Sequence, residues 1–400
     1  MTPFVTRAPR LRYVGPFDGF RGMAVCMVVL AHAAEEQLQG FGVLVDLFFV
    51  ISGFLITTLL LDEHRERGRI DFREFYLRRA LRLFPVLFSV LALTLVFGLL
   101  VGDAEFRRKV IEDVAAAGLY AYHVVFPVNY TVVGGGIPEP RPLIQAWSLS
   151  VEEHFYLFGA VLTALVVKFR RHRELLVAFG AFVVFVAVAR ATGHVGWRIM
   201  WYQRPDAIAV GVMVAFVNAL LPEELPAATD RLLRRLGTVA ALAYGSMIFV
   251  GTTLARPLGL YFPIWPEVGG SLHDGVFWGE FAHSVGAVSA GIVTLALARC
   301  PSFWLVRPLS VKFWRNVGRR SYTIYLVHFP LGLILIQAVG EDAGPNRQLA
   351  AALSYFPLLI GITELLHRYV EKPAMRLRRS RPALTDQVGV ATPKAAPTGE

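Results

Sequence analysis

Arg21 and His32 stand eleven residues apart in the first long apolar run of the chain. On a helix of about 100° and 1.5 Å per residue they share one face, roughly 16 Å apart along the axis. An imidazole can take a proton from a hydroxyl near neutral pH, and a guanidinium can orient a carbonyl or an anion. Ionisable groups inside an apolar span are costly and usually face a cavity or a partner, so the pair is a candidate catalytic site. The competing account has Arg21 snorkelling to lipid headgroups and His32 bonded to a neighbouring helix.

Four further groups carry possible chemistry. Ser52-Gly53 removes bulk in mid-span, so another helix or a narrow ligand can approach the backbone. Arg78, Arg79 and Arg82 converge at helical spacing on one polyanion, such as a nucleotide with several phosphates, or else anchor the chain to anionic lipid. In Ser148-Leu149-Ser150-Val151-Glu152-Glu153, Ser150 and Glu153 match a capping box, while Glu152 is left to orient an acceptor. His328, two residues before Pro330, is a second intramembrane histidine, catalytic or simply bonded within the core. Arg204 and Asp206 read as an ion pair. Neither cysteine, Cys26 nor Cys300, has metal-ligand spacing, and neither a disulfide framework nor a metal site is expected.

The elements that must hold these residues are membrane helices. Of 400 residues 55% are hydrophobic and 18% charged, far more apolar than a soluble domain of this length. Ten segments have the length and apolarity of a span: 19–38, 42–61, 82–101, 147–167, 175–192, 206–221, 237–254, 281–298, 321–340 and 348–367. With the N-terminus inside, the inner segments hold 30 Lys and Arg and the outer ones 8. Basic flanks stay cytoplasmic, so an all-α polytopic bundle with both termini in the cytoplasm is expected, in a cell (plasma or inner) membrane. The net charge of +10 lies in short islands between apolar runs, which argues against nucleic acid. Residues 1–18 read as a cytoplasmic segment, 19–370 as the membrane domain, and 371–400 as a basic, then disordered tail without an attached soluble domain. The N-terminal run mimics a secretory signal, but Arg21, His32, Glu35 and Glu36 mark it as a retained helix. Residues 102–146, with an amphipathic stretch from Val110 to Tyr122, then Gly134-Gly135-Gly136 and four prolines between Pro127 and Pro142, form the longest outer connection and could cover an acceptor site.

Taken in order, these pieces resemble the acyltransferase 3 family of membrane acyltransferases over nearly the whole chain. The resemblance rests on Phe17 to Gly22 followed by His32, on Asp46 to Ile56, on Arg78 to Arg82, on Trp147 to Glu153, on Ser321 to Pro330 and on Val370-Glu371-Lys372-Pro373. It implies acetyl- or acyl-CoA as co-substrate, with no bound cofactor, and a glycan or glycosylated metabolite such as a macrolide as acceptor. It also implies functional roles for Arg21, His32, Arg78, Arg79 and Arg82. His154 departs from the Gln or Trp that many members have there, and the esterase-like C-terminal domain of some members is missing. The implied transfer is therefore expected to finish within the membrane domain. The arginines would hold the CoA phosphates, with the pantetheine arm beside Ser52-Gly53. His32 would deprotonate the acceptor, directly or through an acyl-histidine, and Glu152, Glu153 and His328 would bind it. The rival reading is a transporter or flippase for a lipid-linked sugar, although the chain lacks the repeated halves common in transporters. A lipid-binding scaffold would leave His32 and His328 unexplained. Oligomeric state is not legible.

Overall fold

Apolar runs bounded by basic turns fold as helices, and the computed structural model contains no strand among the described residues, which are 6–11, 13–33, 35–126, 141–191, 204–258, 278–340 and 344–379. The main elements are α1 (Gly15–Ala33), α2 (Leu44–Arg67), α3 (Phe72–Val101), α4 (Ala104–Gly118), α5 (Ala146–Phe169) and α6 (His172–Ala191). They are followed by α7 (Pro205–Leu220), α8 (Ala227–Val250), α9 (Trp278–Arg299), α10 (Lys312–Arg319), α11 (Ser321–Val339) and α12 (Pro345–Leu366). Among the described residues seven helices are long and apolar enough to cross a membrane: those containing α2, α3, α5, α6, α8, α11 and α12. Apolar stretches of α7 and α9 are shorter.

The axis of the bundle is α2, in which Leu47, Phe49, Val50, Ile51 and Phe54 are fully buried. Its close crossing with α7 depends on two glycines. A methyl group on Gly53 would lie 2.7 Å from the carbonyl oxygen of Ile208, and one on Gly211 would collide with that of Val50. The same device joins α1 to the 305–319 region, where methyl groups on Gly19 and Gly318 would collide with the carbonyl oxygens of Leu309 and Asp18. These contacts fix the rotation of α1 around Arg21.

At the far end of α2, Gly68 takes a left-handed conformation (φ 66°) and donates its N–H to His64 O. Asp71 then caps α3 by accepting from Glu74 N at 3.0 Å. The 30 residues of α3 run about 45 Å, longer than the roughly 30 Å hydrocarbon core of a bilayer, so Arg78, Arg79 and Arg82 fall in its early turns.

Two sequence expectations change. α1 begins four residues before the expected span, a further helical segment, Glu35–Leu38, reaches that span's expected end, and His32 is exposed rather than enclosed deep in the bundle. The 102–146 connection is not simply an outer loop: α4, capped by Asp103 accepting from Phe106 N at 2.7 Å, runs back antiparallel along α3. Val110 packs on Gly98, and the Tyr120 ring is 5.9 Å from that of Phe84. The amphipathic stretch has a side on which Ile111 and Leu119 remain exposed. The buried carboxylate of Asp113 seats the element, accepting from Leu143 N (2.9 Å), Tyr122 Oη (3.2 Å) and Arg141 Nε (2.6 Å). Burial raises the Asp113 pKa, with the Leu143 N–H and Arg141 opposing the rise. The Gly134–Gly136 run, Pro127 and the tail after Arg381 lie outside the described residues.

Candidate active site

A cavity of about 610 Å³ opens between the turn joining α2 to α3 and the middle of the bundle. On α2 its lining runs from Arg67 to Val45, twenty-two positions and so about 33 Å of helix. Arg21 reaches it from α1, Arg78, Arg79 and Arg82 from α3, Ser148 and Glu152 from α5, and Tyr322 and Tyr325 from α11. Residues from five helices, three of them far apart in the chain, thus converge on one elongated space.

Its arginines are not equivalent. Arg78 is held by Glu63 (3.2 Å) and by Glu74, and Arg67 shares the same two carboxylates. Arg79 lies over Tyr156, its guanidinium carbon 3.4 Å from the ring centroid, a distance suited to cation–π attraction. Arg79 and Arg21 are the cations acting on Glu152, whose Oε1 accepts from Ser52 Oγ at 2.8 Å. Ser52 therefore belongs to the cavity wall. Gly53 does not; it is buried against α7, and its small size serves that helix crossing.

Deeper in, Tyr325 and Ser148 form the wall. Their hydroxyls are 2.8 Å apart, and Tyr325 Oη also donates to Gln145 O at 3.2 Å. Behind them is a second group of rings. His328 lies 5.4 Å from Tyr325 and 5.3 Å from His32, centroid to centroid. Neither histidine lines the cavity, so the stripe expected from Arg21 to His32 is divided, with Arg21 inside and His32 beyond the Tyr325 wall. Pro330 accounts for the local fold: it cannot donate to Leu326 O, and Gln145 Nε2 fills that place at 3.1 Å.

The capping box is not formed. α5 already begins at Ala146, so Ser150 is inside the helix, where its hydroxyl donates to Ala146 O at 2.9 Å. Glu153 is not in the cavity wall, and its buried Oε1 has no hydrogen-bond partner. Arg204 reaches across to Asp46 (3.3 Å), which also holds His283 Nδ1 at 2.7 Å, while Asp206 accepts from Ser284. The unusual His154 meets His123, with ring centroids 4.8 Å apart. Burial, followed by the nearby His154, lowers the His123 pKa to about 4. Both cysteines are free, and no cluster of metal-ligating side chains occurs among the described residues.

Sequence reasoning missed Gln145, Tyr156 and Tyr325, together with the carboxylates Glu63 and Glu74. Tyr325 carries a signal in hindsight, since it precedes His328 by three residues and shares a helix face with it. Glu74 carries one too, four residues before Arg78 on the same helix, whereas Glu63 carries none, because only the turn between α2 and α3 brings it to Arg78.

A family profile described as an acyltransferase domain matches residues 16–366. The peptidoglycan O-acetyltransferase OatA of Listeria monocytogenes is 26% identical over 372 residues, covering 90% of this chain and 56% of OatA. A Staphylococcus aureus (strain COL) protein provisionally named as an O-acetyltransferase is 28% identical over 387 residues, or 92% of this chain and 58% of that one. YrhL of Bacillus subtilis, provisionally named as a peptidoglycan O-acetyltransferase, is 27% identical over 379 residues, with 90% and 55% covered. This chain thus spans little more than half the length of these relatives. No solved structure matches. With the profile extending from the second residue of α1 to the last of α12, the chain belongs to this acyltransferase family.

Proposed function

We propose that the protein is a multi-pass O-acyltransferase of the cell membrane that moves an acyl group, acetyl in the simplest case, from acyl-CoA to a hydroxyl of a carbohydrate acceptor. In this reading there are ten spans, both termini are cytoplasmic, and the Arg-rich mouth of the cavity faces the cytoplasm. The names of the relatives favour acetyl as the group and peptidoglycan-type glycans as acceptors. The observation that carries the proposal is the elongated cavity, with cations at its mouth and two histidines behind its deep wall.

The polyanionic head of the donor would meet Arg78, Arg79 and Arg82, displacing Glu63 and Glu74 from Arg78, while the thioester arm follows α2 past Ser52. The deeper Arg21 faces the position of the acyl carbonyl and stabilises charge there. His32 takes the proton of the acceptor hydroxyl as its oxygen bonds to the acyl carbon. The carbon–sulfur bond then breaks, and the thiolate leaves and is protonated. Tyr325 and Ser148 stand between the donor cavity and the histidines, so their hydroxyl pair must part or rotate for the two substrates to meet.

The test uses purified protein in vesicles with acetyl-CoA, a panel of glycan and macrolide acceptors, and detection of free thiol. Acceptor-dependent thiol release by the wild type, lost in a folded His32→Ala protein, is the expected result. Equal release by both would remove His32 from the mechanism, and none with any acceptor would favour a transporter.

A further inference from the structure

His328 is buried to 1% exposure on α11, and its two ring nitrogens have different surroundings. Nδ1 lies 2.7 Å from Tyr325 O. A carbonyl oxygen only accepts, so Nδ1 carries the hydrogen and the neutral ring bears its lone pair on Nε2. That Nε2 is buried without a hydrogen-bond partner. Tyr355 Oη donates to His328 O at 3.0 Å, holding the backbone there. Two residues earlier on α11, Leu326 O engages Gln145 Nε2, and Gln145 Oε1 is a second buried acceptor without a partner. Bare buried acceptors are costly, and the lone pair of His328 marks a place built for a ligand that donates.

A hydroxyl has one hydrogen. If His32 receives it from the reacting oxygen, the lone pair of His328, on a ring 5.3 Å away, needs a different donor. We infer that His328 is a specificity-determining residue that accepts a hydrogen bond from a second hydroxyl adjacent to the one acylated, so that the site selects polyol acceptors over isolated alcohols. This rests on the O-acyltransferase reading. His328 holds its proton on Nδ1 throughout and takes no part in bond making; it binds the acceptor and aims the reacting oxygen.

The experiment measures transfer from acetyl-CoA to methyl glucoside and its monodeoxy analogues, using wild type, His328→Leu and His328→Gln. For the wild type, removal of one hydroxyl other than the acylated one should raise the acceptor KM about fivefold to tenfold, the effect of one neutral hydrogen bond. His328→Leu should show the raised KM already with the parent sugar and no further loss with that analogue, and donor KM should not change. Uniform loss of kcat on every acceptor, or a penalty for the analogue that persists in His328→Leu, would overturn the inference. Nitrogen-15 histidine spectra of the His32→Ala protein give a second measure that does not require activity. They should show a bare Nε2 on His328 that shifts when methyl glucoside is added, and a protonated Nε2 or an unmoved signal would refute it. Absence of transfer in the wild type, or transfer independent of His32, would count against the O-acyltransferase reading, whereas transfer that needs His32 and ignores His328 would sink this inference alone.

Discussion

Arg141→Ala removes the cation that compensates Asp113, the buried carboxylate on which α4 and the start of α5 are assembled. In the folded protein Arg141 Nε is 2.6 Å from Asp113 Oδ1 and Nη2 is 2.8 Å from Glu112 Oε2, with the guanidinium carbon 3.8 Å from the Phe126 ring centroid. The Asp113 side chain is 0% exposed and that of Arg141 19%. Breaking a buried pair on one side costs about 3–5 kcal/mol, and the partial exposure of Arg141 places the expected cost near the lower end, about 3 kcal/mol. Every 1.4 kcal/mol is a factor of ten, so the Leu143 amide, which donates to Asp113 Oδ2, should lose roughly a hundredfold of its hydrogen-exchange protection. The sign of the pH effect follows from the Asp113 pKa. Burial raises it in the folded state, so the cost of holding the charge is present above the folded pKa and is relieved as pH falls through it. Loss of Arg141 removes a term that opposes the rise, so the folded pKa climbs further and the variant should recover part of its deficit relative to wild type on moving from about pH 7 to about pH 5. Hydrogen exchange monitored by mass spectrometry on the peptide containing Leu143, with wild type measured at each pH, reads both effects. Arg141→Ala exchange equal to wild type at neutral pH, or a deficit that deepens on acidification, would refute the reasoning.

Glu63→Gln combined with Glu74→Gln leaves Arg78 without its two carboxylates at the cavity mouth. The acetyl-CoA KM should fall by about two- to fivefold, the range of partly exposed ion pairs, and a rise would mean that these carboxylates assist the donor rather than compete with it. Gly211→Ala should lower the unfolding temperature in detergent, because the added methyl collides with Val50 O and overpacking costs about 1–3 kcal/mol. Gly361→Ala is the control, as its methyl meets nothing within 4 Å, and equal unfolding temperatures for the two variants would show that the α2–α7 crossing yields without cost.

Much of the fold is legible because a span must satisfy its backbone internally, which leaves length and apolarity as strong signals. The segments read from residues 42, 147, 237, 321 and 348 each correspond to a long apolar helix. What the pattern hides is how a polar helix returns along an apolar one. α4 carries Arg107, Arg108, Lys109, Glu112 and Asp113, which read as an exposed connection until Arg141, 28 residues after Asp113, neutralises the one carboxylate that is fully buried. Glycine has a similar ambiguity. Ser52-Gly53 announces a close approach in sequence, but only the position of α7 decides that Gly53 receives a helix while Ser52, rotated by about 100°, meets Glu152 in the cavity.

Of the expected site residues, Arg21, Ser52, Arg78, Arg79, Arg82 and Glu152 line the cavity while His32, Gly53, Glu153 and His328 do not, a division that depends on distances no spacing in the sequence gives. Helical spacing puts Arg21 and His32 on one face, and a face shared over roughly 16 Å can still border two compartments when another helix crosses between its ends. Here α11 does so, bringing Tyr325 to the cavity and, one turn later, His328 to His32. That arrangement has a chemical consequence. In the proposed reaction, a thioester and a hydroxyl-bearing acceptor entering from opposite ends would be kept apart by one pair of hydroxyls, Tyr325 and Ser148, whose hydrogen bond is of the modest net strength that binding of a substrate can offset. An enzyme that must not hydrolyse its donor gains from such a wall only if both sides must be filled before it opens. The position of Tyr325, sharing its ring contact with His328 and its hydroxyl with the cavity, would give one side chain access to both conditions.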